Sequence, residues 1–406
     1  MRERIPLGTF PFRAGALKNE EHFLFRRVAD RDRMLLGVGV LEVADEPVFN
    51  ETGVSKDWWF GHASYGWKDE LEPLLSRHAD AMAWPSTRWF RPKWVIEWKE
   101  EVAWLHARSG DVQEGLRFIE RMRSAPAANH AGLSKRWSPG TSREHYLEQA
   151  ERLMHHIHRG DIYEVNYCVM RRGRSEGFDP FAAFEHLLKE TDAPFAAFYR
   201  AGHRFALCAS PERFLAFDGK RVTAEPMKGT RPRGRSIAED AALADELATD
   251  AKERSENVMA VDVMRNDLSR TAAPSSVRVE ALCAVRSYPR VHQLVSTVVS
   301  ERAAGRSPWD VVRAAFPMAS MTGAPKIRAM QLIDVAEDQA RGLYSGTLGF
   351  FAPDGTGDLN VVIRTIMHDA SSGNLSLHTG SALTAQCDSA VEWEECELKF
   401  NSIANA

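Results

Sequence analysis

Thr223-Ala224-Glu225-Pro226-Met227-Lys228-Gly229-Thr230-Arg231-Pro232 sets a single lysine between a proline and a Gly-Thr pair, near the middle of a 406-residue chain. An apolar strand-like run at 205–209 precedes it and continues into Ser210-Pro211-Glu212-Arg213-Phe214-Leu215. Asp218-Gly219-Lys220 supplies a hairpin-type turn on the way. Beyond it, residues 250–261 have helical spacing and carry Glu253 and Glu256 on one face. Taken alone, Lys228 is a surface cation that titrates near ~10.4. It becomes a nucleophile only where burial or a neighbouring cation lowers its pKa.

The bulk numbers bound the rest. A chain of this length forms one large domain or two fused α/β layers. Hydrophobic residues at 44% and charged residues at 27% are ordinary for a globular protein. A net charge of −4 leaves no basic surplus for nucleic acid. The five cysteines are scattered and form no CxxC pair, which fits reduced thiols and excludes a zinc finger. The first residues lack the apolar core of a signal peptide, and no apolar run approaches the ~20 residues of a membrane span. The expectation is a soluble, cytoplasmic protein.

In the N-terminal third, 35–41 is a short apolar strand. Trp58-Trp59-Phe60-Gly61-His62-Ala63 reads as a buried strand with close backbone approach at its glycine. Residues 124–141, rich in Ser, Ala, Pro and Gly, suggest a linker or crossing loop. Thr141 and Glu144 have capping-box spacing for a helix that ends near Gly160. His155, His156 and His158 then fall on a solvated helix end. Residues 161–169 alternate as a strand, with Glu164 and Asn166 on one face. On their own these two side chains read as solvent-facing.

Towards the C-terminus, Glu392 and Glu395 repeat the three-residue spacing of Glu253 and Glu256. Two such pairs offer a hard cation such as Mg²⁺ its oxygen ligands. Residues 316–327 read as a loop into a helix, with Thr322 as cap and Pro325 in the first turn. Residues 341–350 and 361–366 read as consecutive strands joined by an Asp354-Gly355 turn. Arg364 lies inside the second and needs an anionic partner, either a ligand carboxylate or a structural acid.

These blocks carry a family resemblance: SPERFL at 210–215, PMKGTRPRG at 226–234, KERSEN at 252–257, RNDLSR at 265–270, SMTGAPKIRAM at 320–330, GLYSGTLGF at 342–350 and NVVIRT at 360–365. The chain resembles the chorismate-utilising enzymes, which include anthranilate synthase component I, aminodeoxychorismate synthase component I, and the isochorismate and salicylate synthases. The resemblance covers about residues 140–402. It implies a mixed α+β fold of two facing antiparallel sheets covered by helices. Residues 1–125 would be a strand-rich region of that fold, and 126–406 the chorismate-binding catalytic region.

Lys228 resembles the lysine-type aminodeoxychorismate synthases, since the other members usually carry alanine there. The implied reaction joins chorismate and ammonia into 4-amino-4-deoxychorismate through a covalent lysine intermediate. This is a step towards 4-aminobenzoate and folate. Anthranilate synthase component I and a silent chorismate-binding homologue are the alternatives. By the same resemblance Glu212 is the general acid, and Glu256 and Glu395 are the principal Mg²⁺ ligands, supported by Glu253 and Glu392. Arg364 and Tyr344 hold one substrate carboxylate. The backbone at Gly380, Ser381 and Ala382, in a turn usually richer in glycine, meets the other, with Lys399 close by. Thr230 and Ser320 complete the pocket. Mg²⁺ and neighbouring cations would depress the pKa of Lys228. Glu164 stands where glutamine or lysine is usual, and Gln293 where histidine is. None of the cysteines lies in a Gly-x-Cys-x-Gly elbow, so ammonia is expected from a separate glutamine amidotransferase subunit.

Overall fold

A computed structural model describes residues 2–28, 32–100, 102–127, 136–174 and 177–404. Strand His22–Val28 shows how the sandwich is built. Leu24 and Val28 point into one apolar cluster, and Phe23 and Phe25 into another. Successive side chains of a strand face opposite ways. This strand, with Phe23, Leu24, Phe25 and Val28 all buried, is therefore covered on both faces.

The first sheet has 12 strands among the described residues. It carries Glu3–Gly8, His22–Val28, Arg33–Val38, Trp94–Lys99 and Val102–Ala107. His22–Val28 pairs with Phe195–Ala201, and the sheet continues through Arg204–Ser210, Thr365–Asp369, Asn374–Thr384 and Glu164–Arg174. The second sheet has 10 strands. It runs from Met227–Pro232 through Val291–Glu301, Arg221–Ala224, Arg213–Asp218, Thr356–Val361 and Thr347–Phe351 to Trp59–Ala63. Every described pairing is antiparallel. One core, with Leu24 and Leu35 from the first sheet and Phe60, Phe350 and Leu359 from the second, lies between them. Helices Val112–Ser124 and Pro180–Thr191 cover the outer face of the first sheet with Phe118 and Phe184. Helices Arg143–His158, Lys326–Ala336 and Ser389–Ala404 share a further cluster with Val165, Tyr167 and Leu383. The protein is thus a mixed α+β fold of two antiparallel sheets clad in helices.

Several local expectations change. The first long helix is capped by Ser142, which accepts from His145 N at 3.2 Å, so the cap sits one residue beyond Thr141. His156 pairs with Asp161 at 2.7 Å, and the helix end holds no metal cluster among the described residues. Within the expected linker, Arg136–Pro139 is a strand paired with Glu164–Arg174, while 128–135 lie outside the described residues. Trp58 and Trp59 are buried as expected. A Cβ on Gly61 would lie 2.2 Å from Arg88 O, so only glycine fits there. All five cysteines are free.

Two crossings join the sheets. The Asp354-Gly355 hairpin forms as read, with Gly355 at φ +84°, but its second strand ends at Val361. Residues 362–364 then cross to the first sheet, and Arg364 takes φ +52°. Residues 210–212 make the opposite crossing between Arg204–Ser210 and Arg213–Asp218. The two are bonded together: Ala209 N donates to Arg364 O at 3.0 Å, and Val361 N donates to Glu212 O at 3.1 Å. A buried ion network also bridges the sheets. Arg26 of the first sheet pairs with Asp358 of the second, which accepts from Arg213 Nε at 2.9 Å. Arg213 continues to Glu225 at 2.6 Å.

Candidate active site

Lys228 lies on Met227–Pro232, a strand paired only with Val291–Glu301 in that sheet. Its register shifts between Lys228, opposite Leu294, and Thr230, opposite Gln293. Gly229 is the extra residue, at φ +71°. This one-residue bulge turns Lys228 and Thr230 to opposite faces of the strand. Lys228 faces inward and Thr230 is exposed, so the structure does not bring the two together. A Cβ on Gly229 would sit 2.9 Å from Leu247 Cδ1 and 3.0 Å from Glu253 Oε2. We expect Gly229→Ala to cost about 1–3 kcal/mol, the usual strain at such a backbone position. Urea unfolding measures it; unchanged stability would show that the bulge tolerates a side chain.

Lys228 is nine-tenths buried and surrounded by acids. Its Nζ is bonded to Glu164 Oε1 and lies 3.7 Å from Glu256 Oε2. Glu164 and Asn166, read alone as solvent-facing, are buried, and Lys228 from the second sheet lies against Glu164. Burial by itself would lower the Lys228 pKa. Glu164, Glu256 and Glu212 outweigh burial and raise it above its usual value. Without the expected Mg²⁺, the neighbours of this lysine are carboxylates, which act against a depressed pKa.

Glu212, on the 210–212 crossing, is 4% exposed. Burial pushes its carboxyl up to about 7, against the opposing pull of Ser320 and Lys228. Ser320 is buried beside it. Ser320 belongs to the turn Ala319–Met321. Thr322 does not cap the next helix; its hydroxyl donates back to Met318 O at 3.0 Å, and Pro325 takes the cap position.

Helix Ala251–Ser269, capped by Asp250, presents Glu253 and Glu256, and helix Ser389–Ala404 presents Glu392 and Glu395. Lys252 links the two helices: Nζ is 2.7 Å from Glu392 Oε1 and 3.8 Å from Glu256 Oε1. Among the described residues no three potential ligands converge as a ready cage. Yet Glu256 Oε1 and Glu392 Oε2 are buried with no hydrogen-bond partner. Burial raises the pKa of Glu256 to about 7 and also raises Glu253 and Glu392. An all-oxygen donor set with unmatched buried oxygens is of the chemical kind that Mg²⁺ takes.

At the far end, Lys399 Nζ bonds Glu395 Oε1 at 2.5 Å and Gly380 O at 2.8 Å. Gly380, Ser381 and Ala382 lie within a strand, opposite Cys168, Tyr167 and Asn166, and not in a turn. Ser381 Oγ turns away to Tyr146 OH at 3.0 Å. Gly380 has to be glycine because a Cβ would meet Cys168 Sγ at 2.6 Å. Arg364 is bonded to Ser402 Oγ at 3.3 Å and forms no ion pair among the described residues. Burial lowers its pKa, with Tyr344 and Glu395 acting in the opposite direction. Of its two sequence readings, a structural ion pair is therefore absent, and the guanidinium is left for a ligand anion.

Sequence reading missed Glu337 and Arg341. Arg341 is buried and holds Glu337 through two bonds of 2.6 and 2.9 Å. It also donates to Met321 O at 2.6 Å and Asn166 O at 2.9 Å. It thereby ties the Ser320 turn to the Glu164 strand. The four-residue spacing of Glu337 and Arg341 was the available signal. Gln293 is buried with its Oε1 unpartnered, while His292 bonds Asp240 at 2.9 Å and Ser287 at 2.8 Å.

The model of the chorismate binding enzyme family matches residues 31–405. The chain is 43% identical over 303 residues to an aminodeoxychorismate synthase of Streptomyces griseus, covering 74% of this chain and 41% of that protein. It is 39% identical over 293 residues to aminodeoxychorismate synthase component 1 of Klebsiella aerogenes, covering 72% and 64%. Anthranilate synthase component 1 of Thermus thermophilus is 35% identical over 355 residues, covering 85% and 76%. The chain thus spans less than two thirds of the length of the first two relatives. In fold it is similar to the menaquinone-specific isochorismate synthase of Escherichia coli, with a TM-score of 0.80 at 16% identity over 100% of this chain and 94% of that one. No helix among the described residues is long and apolar enough to cross a membrane. By sequence and by fold, this chain belongs to the chorismate binding enzyme family.

Proposed function

We propose that the chain converts chorismate and ammonia to 4-amino-4-deoxychorismate, with Lys228 as covalent nucleophile. The observation that carries this reading is Lys228 itself, buried between Glu164, Glu256 and Glu212. The aminodeoxychorismate synthase relatives support it.

Chorismate is a dianion. Arg364, without an acid partner among the described residues and close to Tyr344, suits one carboxylate. Glu253, Glu256, Glu392 and Glu395 would hold Mg²⁺, which supplies positive charge for the other. The acids around Lys228 keep it charged in the free protein. Its proton therefore has to leave before attack, and Glu164 is the acceptor in contact with Nζ. The free amine attacks C2 of chorismate and the C4 hydroxyl departs as water, taking a proton from Glu212. Ammonia then adds at C4 and the C2–Nζ bond breaks, which restores the lysine. Two easier displacements replace one difficult one. The ammonia would come from a separate amidotransferase subunit, in keeping with the component 1 name of the Klebsiella relative.

Incubation with chorismate, ammonium and Mg²⁺, followed by an aminodeoxychorismate lyase, should yield 4-aminobenzoate. Anthranilate in its place would establish the second reading, anthranilate synthase. That reading is favoured by the longer overlap with the Thermus relative.

Glu212 gives a pH prediction. As general acid it must be protonated, and burial pushes its carboxyl up to about 7. kcat/KM should be flat below that pH and fall about tenfold per unit above it. Glu212→Gln should abolish this limb together with most of the rate. The same upward shift favours the folded state fully below the ordinary carboxyl value of 4.5, and that contribution is lost as pH rises through about 7. A profile that stays flat to pH 9 would remove Glu212 from the acid role.

A further inference from the structure

Tyr344 has a second face. Its ring stacks on His378, with centroids 5.0 Å apart and planes at 16°. Behind His378 lies a cavity of about 600 Å³, walled by Met82, Trp84, Trp137, Met367 and Leu375. A smaller cavity of about 170 Å³ shares Trp84 and Arg341 with it and reaches Tyr65. We propose that this cavity behind Tyr344 is a second small-molecule site, which takes a flat aromatic carboxylate.

Unsatisfied buried groups are the first argument. Trp84 Nε1, Trp137 Nε1 and both ring nitrogens of His378, all lining the cavity, have no hydrogen-bond partner among the described residues. The Ala340 backbone approaches His378 without reaching hydrogen-bond geometry. Trp84 and His378 are 7% and 6% exposed. Each unpartnered buried polar group costs about 1–3 kcal/mol, so several around one cavity point to an occupant that meets them. Trp84 Nε1 only donates, so the occupant must bring an acceptor. Burial lowers the His378 pKa to about 3, which leaves the ring neutral, with one donor and one acceptor nitrogen.

Size and wall chemistry select the class. The cavity is within the usual range for organic ligands, roughly 300–1,000 Å³, and far exceeds the ~30 Å³ share of a water or ammonia molecule. Thioether and indole walls suit a planar ring. Arg172 and Arg174 line the same cavity, are exposed, and form no ion pair among the described residues. Arg172 is bonded only to the neutral Gln339 side chain. Their guanidinium forks suit a carboxylate. The occupant would lie against His378, and so behind the ring of Tyr344, which acts electrostatically on Arg364. Arg341, which also lines the cavity, holds the carbonyls of Met321 and Asn166. Occupancy therefore bears directly on the chorismate cleft.

The probe is 4-aminobenzoate, titrated calorimetrically against the intact chain without chorismate. One saturable site is expected, weakened about tenfold or more by Arg172→Ala with Arg174→Ala, in line with loss of a charge-assisted fork. Ala81→Trp, at an exposed position lining the cavity, should block binding by filling it. Added chorismate should shift the probe affinity to a plateau. Absence of saturable binding at millimolar probe would overturn the proposal. Binding that ignores both variants, or displacement by chorismate without a plateau, would equally overturn it by placing the probe elsewhere. Binding is read without turnover, so the result stands whichever reaction the chain performs.

Discussion

Lys228→Ala is expected to remove 4-amino-4-deoxychorismate formation by about a thousandfold or more, the scale on which covalent nucleophiles act. The argument is positional. Lys228 sits beside the Gly229 bulge, and its neighbours leave it a choice of acids but no substitute amine. Lys252 and Lys399 are engaged with Glu392 and Glu395, and Lys399 also with Gly380. Product can be followed by chromatography after the lyase coupling. Intact mass of wild-type protein quenched with chorismate but without ammonia should show a covalent adduct that the variant lacks. If Lys228→Ala forms product at the parental rate, the covalent route is wrong, whatever the fate of the other assignments. Because Glu164 and Glu256 lose their cation in this variant, Lys228→Ala with Glu164→Gln is the better-folded control.

The second large effect concerns stability. Asp358 is fully buried and holds Arg26 from one sheet and Arg213 from the other. Asp358→Ala strands a buried guanidinium at Arg26, whose pKa burial already lowers. Breaking a buried pair from one side costs about 3–5 kcal/mol. Arg26→Met with Asp358→Leu should recover part of this loss: the apolar pair removes the stranded Arg26, while Arg213 loses Asp358 and keeps Glu225. Urea unfolding of both variants checks it. A drop below about 1 kcal/mol for Asp358→Ala, the range of an exposed pair, would mean that solvent reaches the network.

What could be read from the chain beforehand followed a physical division. A buried apolar strand announces itself, as in Trp59–Ala63, and so does an Asp-Gly hairpin. Lys228, Glu212 and the glutamate pairs were visible as residue types at fixed spacings. Their company was not. Glu164 read as solvent-facing because alternation reports which side chains share a face but not what covers it. The cover over Glu164 came from Lys228 of the other sheet, far away in sequence. Arg341 was passed over for a similar reason: only its four-residue spacing to Glu337 is local, and its other partners, at 166 and 321, lie far away in sequence. Thr230 shows the reverse error. It stands two residues from Lys228, yet one bulge separates them.

The paired crossings at 210–212 and 362–364 have a mechanical consequence. Glu212 and Arg364 belong to neither sheet; they sit where the chain passes from one to the other, and their backbones are pinned together there. The spacing between the acid and the guanidinium is therefore a readout of how the two sheets are stacked. Any variant that lets the sandwich breathe should loosen the grip on substrate before it unfolds the protein. The Asp358 network, distant in sequence from Lys228, would then act as a tuning screw for that grip.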